Sequence, residues 1–276
     1  MKKKSGQILY YIVLWIVSII FFLPLFWIFL SAFKTKAQVV TIPPKWFFMP
    51  TFENIISMFK GVNFIKFLTN SFIISISAVI IAVIISFLAA YSFSRYKPKG
   101  TNFIMFLLLS IRMVPAAAVV VPIFLMYIGL GWRNTYPGMI LFYTMFSIPF
   151  SLWILKGFID GVSTKYDETA FVSGGSRFHV IFRVVLPQVK PGLIAAFIFN
   201  IIFVWNEFLF NFIIGGNKVT TIPVALATGS FSSYGFEWTF IASLSLVYMI
   251  PIIIAIYFFQ KYLLIGMTFG TIRGEV

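Results

Sequence analysis

The chain has 276 residues, of which 61% are hydrophobic and 10% are charged, and its formal net charge is +14. So few charged residues exclude an ordinary soluble domain, and the composition predicts a membrane protein. The positive charge would favour nucleic acid as a partner of a soluble domain, but most basic residues here flank apolar segments, so we expect them to anchor those segments at a membrane surface and expect no nucleic acid partner.

Six apolar segments approach or exceed the roughly 20 residues that a helix needs to cross a bilayer. We predict spans at about residues 8–30, 70–93, 102–126, 138–158, 192–214 and 238–264. The first is longer than the apolar core of a cleaved signal peptide, which favours a retained signal anchor. The prediction is therefore an all-α polytopic membrane protein with a single transmembrane domain over residues 1–276.

Basic residues at the ends of the spans predict the orientation of the chain. Short basic stretches at residues 2–4 and 94–101 place the amino terminus and the loop after the second span in the cytoplasm. Five lysines between residues 34 and 66 argue the opposite, and we give the first span and the short loops precedence. With six spans, both termini are then expected inside.

One arginine falls within the third predicted span. Arg112 lies about ten residues into it, near the middle of the bilayer at 1.5 Å per residue. A buried arginine is costly in a membrane unless it faces a partner or water. Two interpretations stay open: Arg112 lines a solute pathway, or it holds two helices together.

The segment at residues 163–190, called the coupling loop below, interrupts the apolar sequence between the fourth and fifth spans. Lys165 to Ser173 predicts a short helix with Asp167 and Glu168 near its start, where the helix dipole favours acids. Gly174 and Gly175 can take positive φ and end this helix.

A second helix is predicted after the glycines. Ser176 is a natural N-cap, and an apolar face is formed by residues at helical spacing, namely Phe178, Ile181, Phe182 and Val185. Pro187 weakens or ends the helix. A helix-turn-helix this short has no core of its own, so we expect its apolar face to press on something else.

The fifth predicted span is unusually polar. It contains Asn200, Trp205, Asn206, Glu207 and Asn211, and the spacings of seven and four between Asn200, Glu207 and Asn211 predict one shared helix face. Such side chains in a membrane mark a water-filled cavity or contacts between helices. For Glu207 the candidates are an ion pair, with Arg112 as partner, or direct contact with a solute.

The coupling loop resembles the EAA loop of ABC importer permeases. The matching pattern is Glu168-x-Ala170, Gly174 after three residues, and Val184-x-Leu186-Pro187 after nine more. Thr169 and Val184 stand where the family usually has Ala and Ile, and Ser173 stands where it has Asp. Other runs resemble the carbohydrate branch, of the MalG type: AAYSFSR at 89–95, RMVP at 112–115 and WNEFL at 205–209.

The resemblance implies a type I ABC importer permease fold and a place in the cytoplasmic (inner) membrane of a prokaryote. It implies these partners: a second, MalF-like permease subunit, an ATPase dimer that binds ATP-Mg, an extracytoplasmic sugar-binding protein, membrane lipid and a sugar substrate. It also implies two sets of site residues. The ATPase-coupling set is Asp167, Glu168, Ala170, Gly174, Gly175, Leu186 and Pro187, and the candidate translocation pathway is Arg112, Asn200, Trp205, Asn206, Glu207 and Asn211.

Other functions are less compatible with the sequence. The chain has no cysteine, one histidine and no Gly-Lys dipeptide, so it offers no thiolate nucleophile, no Cys-based or His-rich metal site and no Walker A loop. We therefore predict that it is not an enzyme, binds no cofactor or metal itself, and relies on a separate ATPase chain. The alternatives kept are a permease for a peptide, polyamine or phosphate and, much less favoured, an intramembrane enzyme or a stand-alone carrier.

Overall fold

The computed structural model describes residues 2–61, 64–228 and 237–268, and within them the regular structure is helical. The chain divides into two compact units. The first comprises residues 1–65 and 225–251, and the second comprises residues 66–224 and 252–276.

The first unit begins with α1 (Lys2–Ala32), followed by α2 (Lys36–Val39) and α3 (Glu53–Gly61). Most side chains from residue 8 to residue 26 of α1 are exposed around the whole helix, as expected for a helix that lipid or another chain covers. The segment after α1 is folded back on it. Asn54 Nδ2 donates to the carbonyl oxygens of Ala32 and Lys34, at 3.1 and 2.8 Å, and the Lys34 ammonium lies 4.5 Å from the centre of the Trp27 ring.

The second unit contains most of the remaining helices. In chain order they are α4 (Phe64–Arg95, whose first residues belong to the first unit), α5 (Thr101–Met113), α6 (Ala116–Gly129), α7 (Tyr136–Asp160), α8 (Lys165–Val172), α9 (Arg177–His179), a π-helical turn (Val180–Val185), α10 (Leu186–Gln188), α11 (Lys190–Trp205) and a second π-helical turn (Asn211–Gly215). Helix α12 (Ile222–Thr228) begins in the second unit and ends in the first. The last helix, α13 (Trp238–Thr268), begins in the first unit and ends in the second.

Four helices are each long and apolar enough to cross a membrane, over Gln7–Ala32, Phe64–Arg95, Tyr136–Asp160 and Trp238–Leu264. They lie where the first, second, fourth and sixth spans are predicted. The third predicted span is two helices, α5 and α6, which meet at 95°. Pro115 lies within the break, just before α6. It accounts for the break because proline has no amide hydrogen and disfavours helix in the residue before it.

The fifth predicted span is wrong as one continuous helix over residues 192–214. Helix α11 ends at Trp205, and a short helical stretch resumes only at Leu209 before the π-helical turn Asn211–Gly215. The second helical arm of the coupling loop, Arg177–Gln188, meets α11 at 74°. If each bent pair counts as one span, up to six spans result.

Helix α7 is central to the second unit and packs on α11. Helix α11 has three small buried residues, Gly192, Ala195 and Ala196. Small residues allow the backbones of neighbouring helices to approach closely. A Cβ atom at Gly192 would lie 2.5 Å from Cγ of Phe158 on α7. The two helices that carry the ends of the coupling loop are therefore in direct contact.

Candidate functional site

The coupling loop is a helix-turn-helix whose turn depends on two glycines with different roles. Gly174 has φ +81°, a left-handed conformation that glycine adopts without strain. Gly175 does not have positive φ; a Cβ there would lie 2.7 Å from the carbonyl oxygen of Ala170. The Ser176 hydroxyl then caps the second helix by accepting from the His179 N–H at 3.3 Å.

The predicted apolar face of the second helix is divided between the interior and the surface. Val185 is buried and Ile181 is half-buried. Phe178 and Phe182 are 75% and 44% exposed, so the face does not pack as one unit inside the chain. The π-helical turn Val180–Val185 lies within this helix and changes its helical repeat. Pro187 lies in α10, just before the bend to α11.

The acids at the start of α8 have opposite environments. Glu168 is exposed, as are Gly174 and Pro187, whereas Ala170, Gly175 and Leu186 are half-buried. Asp167 is buried and forms an ion pair with Arg95 at the end of α4, with 2.8 Å between Oδ2 and Nε. The Tyr91 hydroxyl donates to the same carboxylate at 3.2 Å.

Sequence reasoning missed this arginine. The helix dipole accounts for an acid early in α8 without requiring a partner, and Arg95 precedes Asp167 by 72 positions. The available signal was the AAYSFSR run, in which Tyr91 and Arg95 are one turn apart on α4.

Arg112 holds helices together in this structure. Its Nε donates to the carbonyl oxygen of Phe146 on α7 at 3.2 Å. Its guanidinium carbon lies 4.7, 5.4 and 5.1 Å from the ring centres of Phe146, Phe150 and Phe203, an arrangement that stabilises the cation through the ring faces. Its Nη2 is buried without a hydrogen-bond partner among the described residues.

Glu207 lies between the two helical stretches of the fifth predicted span. Its carboxylate accepts from the Tyr143 hydroxyl and from the N–H groups of Phe210 and Asn211, at 3.0 and 3.3 Å. It therefore caps the helical stretch that follows, where the N–H groups are otherwise unpaired. Of the two candidates for Glu207, the ion pair with Arg112 is not formed, since among the described residues no ion pair joins the two side chains.

The asparagines at the two ends of this segment serve separate contacts. Asn200 Nδ2 donates to Ser151 Oγ on α7 at 2.8 Å, and Asn211 Oδ1 accepts from the Thr221 N–H at 2.9 Å. The prediction that Asn200, Glu207 and Asn211 share one helix face is wrong, because α11 ends at Trp205 before Glu207.

The two residues at the break differ in exposure. Trp205 is buried, and its ring forms a T-shaped contact with the Phe72 ring at 4.8 Å between centres. The ring is therefore not exposed to a solute in this conformation. Asn206 is exposed, and its Nδ2 donates to the Ile202 carbonyl oxygen at 2.7 Å.

Several helices are long and apolar enough to cross a membrane, and the polar residues within the predicted spans are used largely in contacts between helices. These features define a multi-pass membrane protein. Residues 78–267 match the family described as "Binding-protein-dependent transport system inner membrane component", and the chain belongs to this family. The family consists of transport components, not enzymes.

Individual relatives match over nearly the whole chain. The chain is 32% identical to the trehalose transport system permease protein SugB of Mycobacterium tuberculosis over 257 residues, which cover 91% of this chain and 92% of SugB. It is 30% identical to the trehalose/maltose transport system permease protein MalG of Thermococcus litoralis over 263 residues, 94% of each. A chain in the crystal structure of a bacterial ABC transporter that imports the acidic polysaccharide alginate has the same fold, with a TM-score of 0.79, 19% identity and coverage of 95% and 98%.

Proposed function

We propose that this chain is one of two permease subunits of an ATP-driven importer and that its cargo is a sugar delivered by an extracytoplasmic binding protein. The family description names a binding-protein-dependent system. The trehalose and maltose permeases among the relatives support a sugar as cargo. A second, MalF-like permease and an ATPase dimer complete the proposed complex.

The observation that carries the proposal is the exposed surface of the coupling loop. Large apolar side chains are exposed on both of its arms, with Phe171 and Val172 on α8 and Phe178 and Phe182 on the second helix. Exposed apolar side chains grouped on one element mark a surface for a partner. Glu168 adds an exposed charge beside them. We assign this surface to the ATPase dimer, which binds the ATP-Mg that drives transport.

Nucleotide-driven closure of the ATPase dimer then moves the coupling loop. The loop is continuous with α7 and α11, which pack directly on each other, so it carries both helices with it. A rigid displacement of this kind switches the complex between two conformations that open to opposite sides of the membrane. Both termini and the coupling loop lie in the cytoplasm in this arrangement.

Contact with the cargo is proposed for the three pathway candidates that are not fully buried: Arg112, Asn206 and Glu207. Asn200, Trp205 and Asn211 are buried and are assigned to holding helices and loops in place. Peptides, polyamines and phosphate are the competing cargoes.

The test is reconstitution. The chain is co-expressed with candidate second-permease and ATPase subunits, and the complex is placed in proteoliposomes with a candidate binding protein. ATP-dependent uptake of trehalose and maltose is then compared with uptake of oligopeptides, spermidine and phosphate. We expect uptake of a sugar only when all components and ATP are present. Transport by the isolated chain would contradict the permease-subunit proposal, and uptake of a non-sugar instead would contradict the proposed cargo.

A further inference from the structure

One side chain bonds the end of α4 to the coupling loop and to the end of α7. The guanidinium of Arg95 donates to both carboxylate oxygens of Asp167 on α8, from Nε to Oδ2 at 2.8 Å and from Nη2 to Oδ1 at 3.3 Å. The same group donates to the carbonyl oxygens of Ile159, at 3.3 Å, and Val162, at 3.0 Å. These two carbonyls lie at the end of α7 and in the linker from α7 to α8.

The bonds are sheltered from water and geometrically specific. The side chains of Arg95 and Asp167 are 9% and 8% exposed, and the carboxylate also accepts from the Tyr91 hydroxyl one turn earlier on α4. A planar guanidinium offers five donors in a fixed arrangement, which lysine cannot reproduce. Removing one partner of such a pair leaves the other charge buried and uncompensated.

Helix α4 has no backbone connection to the coupling loop comparable to those of α7 and α11. Side chains also join α4 to α7, as where Ser94 Oγ donates to Asp160 Oδ1 at 2.6 Å. The Phe87 ring of α4 lies 6.4 Å from the Phe182 ring of the coupling loop's second helix. On α8, Asp167 accepts hydrogen bonds from both Tyr91 and Arg95 of α4.

We infer that Arg95 is a positioning residue that makes α4 move together with the coupling loop, and that Asp167 serves this internal link and not the ATPase surface. The inference rests on the proposed function, because it specifies how motion of the coupling loop reaches α4, a helix to which the loop has no backbone connection. Glu168, the exposed neighbour, is left to face the partner.

The test compares variants in the assembled complex. Arg95→Ala and Asp167→Asn are expected to co-purify with the ATPase in wild-type amounts, while sugar uptake per ATP hydrolysed falls by about 2- to 30-fold, the range expected for lost coupling between sites. Arg95→Lys should recover only part of this loss. The matched control is Lys36→Gln, which removes the more exposed ion pair of Lys36 with Glu237 in the first unit and should leave the ratio unchanged.

A distance measurement separates a positioning role from general stabilisation. The chain has no cysteine, so Lys99→Cys and Lys165→Cys together provide two exposed spin-label sites, one just after α4 and one at the start of α8, and neither is among the residues assigned to the ATPase surface. The distribution of distances between the labels should be narrow in the wild-type background and keep its mean when an ATP analogue is added. Arg95→Ala, or Asp167→Asn if the arginine variant does not fold, should broaden it or shift it with nucleotide.

The outcomes are distinguishable. An unchanged transport ratio and an unchanged distance distribution in these variants, in a complex whose wild type transports sugar, would overturn the inference alone. Lost co-purification with the ATPase in Asp167→Asn would return Asp167 to the docking surface and also overturn it. A wild-type complex with its partners that moves no solute would instead overturn the proposed function, whatever Arg95 does.

Discussion

Replacing Gly192 with alanine should force apart the two helices that carry the coupling loop. Gly192 lies in the first turn of α11, where the missing side chain lets the helix lie on the Phe158 ring of α7. A Cβ atom would be 2.5 Å from Cγ and 2.6 Å from Cδ2 of that ring, well inside van der Waals contact. Phe158 is buried, so its ring cannot simply turn out of the way.

The expected magnitude follows from two opposing effects. Overpacking a filled interior destabilises by about 1–3 kcal/mol, whereas alanine in place of glycine favours helix by about 1 kcal/mol. A Cβ atom only 2.5 Å from a buried ring places this change in the upper part of the overpacking range, about 2–3 kcal/mol. The net loss is therefore about 1–2 kcal/mol, which corresponds to a fall in Tm of about 2–8 °C for a domain of this size.

The assay is thermal unfolding of the purified protein in detergent, followed by circular dichroism of the helices. Gly157→Ala is the matched control, since no atom lies within 4 Å of a Cβ at that position, and it should keep or slightly raise Tm. Adding Phe158→Leu to Gly192→Ala should recover part of the loss. Equal stability of Gly192→Ala and wild type, or an equal loss in the control, would refute this account of the contact.

Three further predictions concern the coupling loop and the polar membrane residues. Gly174→Ala should lower the free energy of unfolding by about 1–2 kcal/mol, because alanine is strained in the left-handed conformation of this position. It should also reduce sugar uptake without affecting capture by the binding protein, and Gly174→Asn should show a smaller loss of uptake. Normal uptake in both variants would show that transport does not need the turn. Glu168→Lys should weaken co-purification with the ATPase, and unchanged recovery would count against its place on the docking surface. In double-mutant cycles of thermal stability, Tyr143→Phe and Glu207→Gln should show a coupling energy of about 0.5–3 kcal/mol, because the two groups share a hydrogen bond. Arg112→Ala and Glu207→Gln should be additive within about 0.5 kcal/mol. A larger coupling energy for the second pair than for the first would contradict the contacts described.

The features that local chemistry dictates could be predicted from the sequence. Apolar length alone indicated helices at residues 8–30, 70–93, 138–158 and 238–264, because a bilayer imposes that length. The turn at Gly174 and the cap at Ser176 also depend only on neighbouring residues. The family resemblance followed from the same short motifs.

Features that depend on distant partners could not be predicted in this way. The break after Trp205 allows Glu207 to accept a hydrogen bond from Tyr143, 64 positions earlier. The prediction that Glu207 shares a helix face with Asn200 and Asn211 assumed a continuous helix, so it could not anticipate this contact. Arg112 sits among three phenylalanine rings from α7 and α11, which a search for opposite charges overlooks. Pairing between elements this far apart is set by how helices pack, not by spacing along one helix.

The central claim is that the coupling loop lies on the cytoplasmic side and receives its motion from an ATPase, and labelling of introduced thiols tests it most directly. Val172 on the loop is 90% exposed, and Ile42, in the segment expected outside, is 97% exposed; the chain has no cysteine of its own. A membrane-impermeant maleimide should label Ile42→Cys in intact spheroplasts and Val172→Cys only in inside-out vesicles, where added ATPase should protect it. Labelling of Val172→Cys from the outside would contradict the account.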